Sequence, residues 1–246
     1  MKRWLQSNIH HIIPTDPLKI AECQTGKILE NLTENSQSLS KRWLDSGRTD
    51  FSFYSDPNYL YEAILCYHIN SGGSINAAIK YFKEKLDPST TKVLDVYNGV
   101  GLTTVKLQMA GYQLSIFNDV DDQIKTTNKL ATANNQLKPT VYKDMDNISD
   151  SFDVVFCLEV MEHIPEPLSL LKKVIKCVKP GGYLVETTSF NSPDYPGHFE
   201  FYLLPSGIPI PGRQIRKAYN NVLTEARFVK IFTGFNARPM IWQHNA

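Results

Sequence analysis

Cysteine is scarce and scattered in this chain of 246 residues. No C-x-x-C pair and no short spacing suited to zinc occurs among the four cysteines, Cys23, Cys66, Cys157 and Cys177. The pattern therefore argues against a cysteine-based zinc site. Free, buried thiols in a reducing compartment are expected instead.

Long apolar runs and a charge excess are also missing. No apolar run approaches the roughly 20 residues of a membrane-spanning helix, and the first residues, MKRWLQSNIHHIIPTDP, lack a signal-peptide core. A formal net charge of +1 gives no long-range attraction to nucleic acid or an anionic membrane. We expect a cytoplasmic protein with no membrane segment, long enough to bury a core in one large or two small domains.

The most informative stretch is KVLDVYNGVGLTT, residues 92–104. An apolar run containing Asp95, then Gly99 and Gly101, then a threonine pair predicts a buried parallel strand that turns tightly into a helix. The glycines would let the backbone approach a ligand, and the first N–H groups of the helix would point at it. A nucleotide-binding turn is one interpretation; an ordinary strand-to-helix turn of an α/β protein is the other.

The segments that follow favour the nucleotide-binding interpretation. A second apolar strand, LSIFND, ends in Asn118 and Asp119, where a nucleoside-binding fold has its ribose-binding group. The next segment predicts a helix with Ile124, Leu130 and Leu137 facing inward. Residues 152–158 are nearly all apolar, as in a strand buried on both faces, so the residues after them belong to the crevice at the sheet edge.

Helical patterns dominate the chain before this point. SDPNYLYEAILCYHIN begins with a capping signal near Ser55, and Ser74 can cap a second helix, INAAIKYFKEKL, with one apolar stripe. We predict an N-terminal helical extension over residues 1–86 and a second domain over residues 87–246. The extension either covers the pocket as a lid or packs against the sheet edge.

The order of these segments resembles the class I S-adenosylmethionine-dependent methyltransferases over residues 86–246. The VLDV strand, the EVMEHIPEP segment and the KPGG turn carry the resemblance. It implies a Rossmann-like α/β fold: a doubly wound, mostly parallel seven-stranded sheet, closed by an antiparallel hairpin formed by FVKIFTGFNARPMIWQHN. It also implies S-adenosylmethionine as cofactor and methyl transfer to an acceptor oxygen or nitrogen.

The resemblance also implies a set of cofactor-binding residues. These are Asp95, Tyr97, Asn98, Gly99 and Gly101 in the turn, Asn118 and Asp119 at the ribose, Asp144 and Met145 at the adenine, and Glu159 after the fourth strand. The chain departs from the family where Tyr97 and Asn98 precede the first glycine. The ring of Tyr97 must then lie over the ligand or in the neighbouring helix. The family's acidic position at the end of the second strand falls on Asn118, whereas the acid, Asp119, is one residue later.

A metal site is a further expectation. Glu159, Glu162 and His163 follow one strand within five residues, and His198 lies in a loop that faces the same crevice. Carboxylate and imidazole ligands suit Mg, Mn or Zn. The segment is similar to that of ubiquinone-pathway O-methyltransferases and of small-RNA 3′-end 2′-O-methyltransferases, whose two Glu and two His hold a metal.

The motif E-H-x-P also occurs in metal-free relatives, where its residues shape the acceptor pocket. In that case His163 or His198 is the expected general base, with a pKa near the working pH. We therefore expect Glu162, His163 and His198 to be the catalytic residues under either interpretation.

Three functions remain open on the sequence. A small-molecule acceptor agrees best with the near-neutral charge. A nucleic-acid or protein methyltransferase would be favoured by a basic groove formed by Arg213, Arg216 and Lys217. A non-catalytic cofactor-binding scaffold is the third, and Tyr97 within the glycine turn favours it. The sequence does not indicate an oligomeric state.

Overall fold

The computed structural model describes residues 32–55 and 72–245. The helix predicted from Ser55 onward falls mainly outside these residues, as do Cys23 and Cys66. The described helices are α1 (Leu32–Asp45), α2 (Gly72–Phe82), α3 (Leu102–Met109), α4 (Asp121–Ala133), α5 (Pro167–Lys176) and α6 (Gly212–Glu225). The strands are β1 (Lys92–Val96), β2 (Gln113–Phe117), β3 (Thr140–Tyr142), β4 (Phe152–Leu158), β5 (Val178–Thr187), β6 (Phe201–Leu203), β7 (Pro209–Pro211), β8 (Phe228–Thr233) and β9 (Met240–His244). Short 3-10 helices span Phe51–Ser55, Met145–Asn147, Met161–His163 and Phe235–Ala237.

Seven strands form one sheet in the order β3-β2-β1-β4-β5-β9-β8. Strands β1 to β5 pair in parallel, and β9 runs antiparallel to both β5 and β8. This confirms the predicted α/β fold, a mostly parallel seven-stranded sheet closed by an antiparallel hairpin. The segment PSGIPIPG, residues 205–212, contains β7, which pairs with β6 in a separate two-stranded sheet. Proline is tolerated there because a two-stranded sheet consists of edge strands.

Alternate residues of the strands pack on opposite faces of the sheet. Val93 joins α2, α3 and α4 in one core, whereas Leu94 and Val96 join α5 and α6 in the other. The same alternation separates Val154 from Val155 in β4. Each fully buried aliphatic side chain contributes about 1.5–3 kcal/mol of hydrophobic stabilisation. Helices on both faces make the sheet doubly wound, as predicted.

Helix α2 belongs to the first of these cores. Ile75, Ala78 and Phe82 are fully buried there beside Val93 of β1. The predicted boundary at residues 86 and 87 thus falls between two elements that share one core, and the two-domain division stays a prediction. Among the described helices, none has the length and apolar character to cross a membrane.

Helix α4 is shorter than the sequence pattern predicts. It ends at Ala133, and Asn135 adopts a left-handed conformation with φ 56°, a conformation that asparagine tolerates at helix ends. The chain therefore turns away, and Leu137 is 87% exposed. The prediction that Leu137 faces inward is wrong. By contrast, Cys157 and Cys177 are free and buried, as expected.

Candidate functional site

The carboxyl ends of β1, β2 and β4 lie side by side because these strands are parallel neighbours in the sheet. The loops that leave them meet in one crevice, the usual ligand-binding position of an open α/β sheet. Most of the residues predicted to bind a cofactor lie at the carboxyl ends of β1, β2 and β3, whereas Glu162 and His163 follow β4 and His198 follows β5. The topology therefore brings both predicted groups to the same edge of the sheet.

The two glycines of the turn after β1 serve different purposes. Gly99 has φ 53°, and no described atom lies within 4 Å of where its Cβ would be, so the space beside it is open to a ligand. Gly101 has φ 89°, and a Cβ there would lie 2.5 Å from Thr127 Oγ1. Gly101 is thus required for α3 to begin against α4.

Tyr97 adopts a left-handed conformation with φ 49°. Its N–H donates to the Phe117 carbonyl at 2.7 Å, and its ring packs edge-on against Phe117 at 4.7 Å. The hydroxyl lies 3.5 Å from Asp119 Oδ2. Burial, together with the charge of Asp119, raises the pKa of Tyr97 to about 12. The ring therefore packs against the end of β2.

Asn118 is fully buried in a network of amide side chains. Its Nδ2 donates to Asn98 Oδ1 at 2.9 Å and to Gln123 Oε1 at 3.0 Å, and its Oδ1 accepts from the Val120 N–H at 2.9 Å. Both kinds of polar atom are thus engaged by the protein, and the side chain has no exposed surface. Asp119 is exposed beside Tyr97. Of the two candidates, Asp119 is the one presented to the crevice.

Asn98 connects this network to the turn. It is buried, and its Nδ2 donates to Thr104 Oγ1 at 3.1 Å and to Thr127 Oγ1 at 2.9 Å. Thr104 Oγ1 in turn donates to Asp95 Oδ2 at 2.7 Å. Burial raises the pKa of Asp95 to about 7, and the bond from Thr104 partly offsets this effect. Asp95 thus braces the turn through Thr104 of α3.

The two residues predicted at the adenine lie in different surroundings. Asp144 is exposed and caps a 3-10 helix, with Oδ1 accepting from the Asp146 N–H at 2.9 Å. Met145 is buried in the core, and its sulfur lies 3.9 Å from Cys177 Sγ. The structure therefore presents the carboxylate of Asp144 to solvent at this position and uses the side chain of Met145 in the core.

Glu162, His163 and His198 form the most distinctive cluster of the described residues. One ligand atom from each lies within 4.8 Å of the others, and the two imidazole rings are 4.6 Å apart. Glu162 is fully buried, with Oε1 accepting from the Ser189 N–H at 2.9 Å. Glu162 Oε2, His163 Nδ1 and His198 Nδ1 are buried without a hydrogen-bond partner among the described residues. Three unpaired buried ligand atoms at one point suit a divalent cation.

Burial controls the charges of this cluster. It lowers the pKa of His163 well below the usual value and that of His198 to about 4, with the positive charge of Arg238 adding to the shift at His198. Burial and the neighbouring Glu159 raise the pKa of Glu162. The premise that either histidine has a pKa near the working pH is therefore wrong. Both are neutral imidazoles, which is the form that binds metals but a weak form of general base.

Glu159 lies next to Glu162 and is paired with a residue that the sequence analysis did not identify. Arg238 Nη1 donates to Glu159 Oε1 at 3.0 Å, and its Nη2 donates to Ser189 Oγ. Glu159 also has a left-handed backbone at φ 53°, held by its N–H donating to the Thr187 carbonyl at 3.0 Å. The predicted four-residue ligand set is thus three residues plus an ion pair. No motif marks Arg238, because it reaches the crevice from the loop between β8 and β9.

The predicted basic groove does not form as expected. Arg216 points inward: its Nη1 lies 3.3 Å from Glu186 Oε1, and its Nη2 donates to the Thr188 carbonyl at 2.5 Å. Arg213 and Lys217 remain exposed. Because Glu186 is fully buried, Arg216 serves as its counter-ion and is not a surface cation.

Comparison with known proteins agrees with this geometry. The sequence model of the methyltransferase domain matches residues 68–236, more than half of the chain. A ubiquinone biosynthesis O-methyltransferase of Rickettsia bellii is 32% identical over 119 residues, which are 45% of this chain and 49% of that protein. The chain thus spans about half the length of the curated relatives it matches.

Two solved structures share the fold. An O-methyltransferase family protein from Burkholderia thailandensis superposes with a TM-score of 0.62 at 12% identity, covering 87% of this chain and 71% of that one. The N-methyltransferase NodS from Bradyrhizobium japonicum, in complex with S-adenosylhomocysteine, gives 0.54 at 16% identity, covering 86% and 99%. With its strand order, its glycine turn and the family match in agreement, the chain belongs to the methyltransferase domain family and has the class I methyltransferase fold.

Proposed function

We propose that this protein is an S-adenosylmethionine-dependent methyltransferase that acts on an oxygen or nitrogen of a small molecule. One observation carries the proposal: the open glycine turn and the Glu162, His163 and His198 cluster lie at the same edge of the sheet. A cofactor held at the first would direct its reactive end towards the second. The similarity to ubiquinone biosynthesis O-methyltransferases supports a hydroxyl acceptor.

Each part of the turn has a defined task in this proposal. The backbone at Gly99 leaves room for the cofactor, Asp119 accepts from ribose hydroxyls, and Asp144 accepts from the adenine amino group. Tyr97 orients Asp119 through its hydroxyl. The buried Asp95, through Thr104, keeps the turn and the start of α3 in place.

S-adenosylmethionine supplies an electrophilic methyl group on its sulfonium. The lone pair of the acceptor oxygen forms the new bond to that carbon, the carbon–sulfur bond breaks, and its electron pair stays on sulfur. The acceptor proton passes to a base or to solvent. Most of the acceleration in such a displacement comes from alignment and the exclusion of water. The buried His198 and Glu162 provide a water-poor wall beside the acceptor.

A metal-assisted form of this reaction is the second candidate, and the three unpartnered ligand atoms favour it. Glu162, His163 and His198 would hold the ion, with Glu159 beside them in its ion pair with Arg238. A bound divalent cation would lower the pKa of an acceptor hydroxyl and orient it. That help would compensate for the weakness of both histidines as bases.

Calorimetry of S-adenosylmethionine and S-adenosylhomocysteine binding, with and without Mg, Mn or Zn, is the first test. Micromolar binding supports the cofactor site, and transfer of a labelled methyl group to hydroxylated aromatic acceptors then tests the reaction. Absence of cofactor binding to pure, folded protein would overturn the proposal in favour of a scaffold. Strongly salt-dependent RNA or DNA binding would favour a nucleic-acid substrate.

Substitution of the histidines separates the two candidates. We expect His163→Ala to retain cofactor affinity while lowering methyl transfer by about 100-fold, in line with the loss of an acid–base or metal-binding group. Metal affinity should fall with it if an ion is bound. His244→Ala is the matched control, since His244 lies in β9 outside the cluster. A normal transfer rate in His163→Ala would remove His163 from the mechanism.

A further inference from the structure

Residues 32–55 lie before the part of the chain that matches the methyltransferase domain, which begins at residue 68. They nevertheless pack against the loop that follows β5. Trp43 of α1 is 1% exposed, and its Nε1 donates to the main-chain carbonyl of His198 at 2.8 Å. The bond joins residues 155 positions apart in the chain. Breaking this bond would leave the buried indole N–H and the carbonyl without partners, which would destabilise the folded protein. The bond therefore holds the backbone of His198 in place.

Aromatic contacts reinforce this attachment. The Trp43 ring packs edge-on against the Phe199 ring, with centroids 5.6 Å apart. The centroid of the Phe51 ring lies 6.0 Å from that of Phe199. Trp43 and Phe51 also contact each other at 5.3 Å. Phe199 directly follows His198, so both sides of this peptide unit are held by the N-terminal segment. Edge-on aromatic pairs of this kind add stability beyond simple burial.

Two further contacts connect the N-terminal segment with the cluster. Arg48 Nε donates to the Pro193 carbonyl at 3.3 Å, at the start of the loop that carries His198. The Tyr54 ring lies edge-on to His163 with centroids 6.2 Å apart. The N-terminal segment therefore contacts the supports of one histidine and the ring of the other.

We infer that Trp43 is a positioning residue for His198, and that α1 with residues 51–55 forms the outer wall of the acceptor site. The effect on catalysis rests on the proposed function, whereas the positioning of His198 by Trp43 does not. His198 itself lies outside any strand or helix, in the loop between β5 and β6. The backbone of His163 is held by a 3-10 helix. The hydrogen bond from Trp43 holds the backbone of His198 in a comparable way.

Trp43→Phe tests the inference because it keeps an aromatic ring against Phe199 and removes the indole N–H. The readout is carbethoxylation of His198 by diethyl pyrocarbonate, followed by peptide mass spectrometry, with the half-buried His244 as internal reference. In the wild type His198 is 4% exposed and should react slowly. Loss of one buried hydrogen bond should raise its labelling rate about tenfold. An unchanged rate would overturn the inference.

Trp242→Phe is the matched control, because Trp242 is also buried and its Nε1 lies 3.4 Å from Glu186 Oε1, not from the His198 loop. It should leave His198 labelling at the wild-type rate. Arg48→Met is a second variant that acts on the same loop without opening the core, in case Trp43→Phe does not fold. It should raise His198 labelling several-fold, and an unchanged rate there would also count against the inference.

The catalytic consequence is measured separately. In Trp43→Phe we expect kcat to fall about tenfold, while the affinity for S-adenosylmethionine stays at the wild-type value because the glycine turn is untouched. A parallel loss of cofactor affinity would indicate general destabilisation and overturn the positioning role. If the wild type transfers no methyl group, the proposed function fails, whereas the labelling rates still decide whether Trp43 positions His198.

Discussion

Arg238 forms an ion pair with Glu159 at 3.0 Å, and this pair borders the cluster of Glu162, His163 and His198. The two residues are 79 positions apart and come from the loop before β9 and the end of β4. The Glu159 side chain is 8% exposed and that of Arg238 is 28% exposed. The guanidinium of Arg238 also lies near His198, and its positive charge lowers the pKa of that imidazole.

Arg238→Gln should leave the carboxylate of Glu159 buried without its counter-ion. Breaking a buried pair by removing one partner costs about 3–5 kcal/mol. We expect about 2–4 kcal/mol here, since the partial exposure of Arg238 weakens the pair. Urea unfolding measures the change. The double variant Arg238→Gln with Glu159→Gln should be less destabilised than the sum of the two single variants. Strict additivity would show that the pair is not coupled.

Asp119 and Asn118 should respond in opposite ways to truncation. Asp119→Ala removes an exposed carboxylate, so we expect cofactor affinity to fall about tenfold with little change in stability, as for the loss of a single charged hydrogen bond. Asn118→Ala breaks a buried amide network, and the free energy of unfolding should fall by about 1–3 kcal/mol. Calorimetry and thermal unfolding of both variants provide the comparison. Normal affinity in Asp119→Ala would contradict its assignment to the ribose.

Gly101→Ala should be far more damaging than an alanine at an open glycine. The new Cβ would lie 2.5 Å from Thr127 Oγ1 and 2.8 Å from the Thr127 Cα. Overpacking of about 1–3 kcal/mol would add to a left-handed backbone cost of about 1–2 kcal/mol. Gly207→Ala is the control, because φ there is 79° but no described atom lies within 4 Å of the Cβ position. Equal losses of stability would mean that the contact between α3 and α4 can relax.

Gly99→Val should abolish cofactor binding while the protein still folds. The valine would occupy the space beside the turn that no described atom fills, and its branched Cβ is disfavoured at φ 53°. Gly99→Ala should show a smaller loss of affinity, since its single methyl group fills less of that space. Calorimetry with S-adenosylhomocysteine measures both. Wild-type affinity in Gly99→Val would exclude the turn as the cofactor site.

Asp95 should make the stability of the protein depend on pH. Its pKa is about 7 in the folded protein against 3.8 for the free side chain. The folded state then binds more protons than the unfolded state between these values, so the free energy of unfolding falls as the pH rises from about 4 to 7. The effect is at most about 4 kcal/mol. Asp95→Asn removes this dependence, and its stability relative to wild type should rise across that window. A constant difference between the two proteins would contradict the shifted pKa.

Local sequence patterns were sufficient for the strand-and-helix order and for the methyltransferase resemblance. The continuous apolar run of β4 and the glycine turn after β1 are signals carried by a few adjacent residues, so they need no tertiary information. The cluster of Glu162, His163 and His198 was also predictable, because each member follows a strand that points to the same edge. The pattern failed at Leu137, where Asn135 ends α4 early and the helical periodicity continues into a loop.

The charges and partners of the site were decided only by the tertiary structure. Arg238, Trp43 and Arg216 reach their partners across 79, 155 and 30 residues, distances over which no sequence pattern persists. The low pKa of His198 depends on burial by several elements at once. Which of Asn118 and Asp119 is exposed to the crevice depends on side-chain direction, because adjacent residues at the end of a strand point to opposite sides. The sequence alone thus determined the fold and the location of the site, through local pattern and parallel topology. Packing between distant segments determined which of its groups are available and in which charge state.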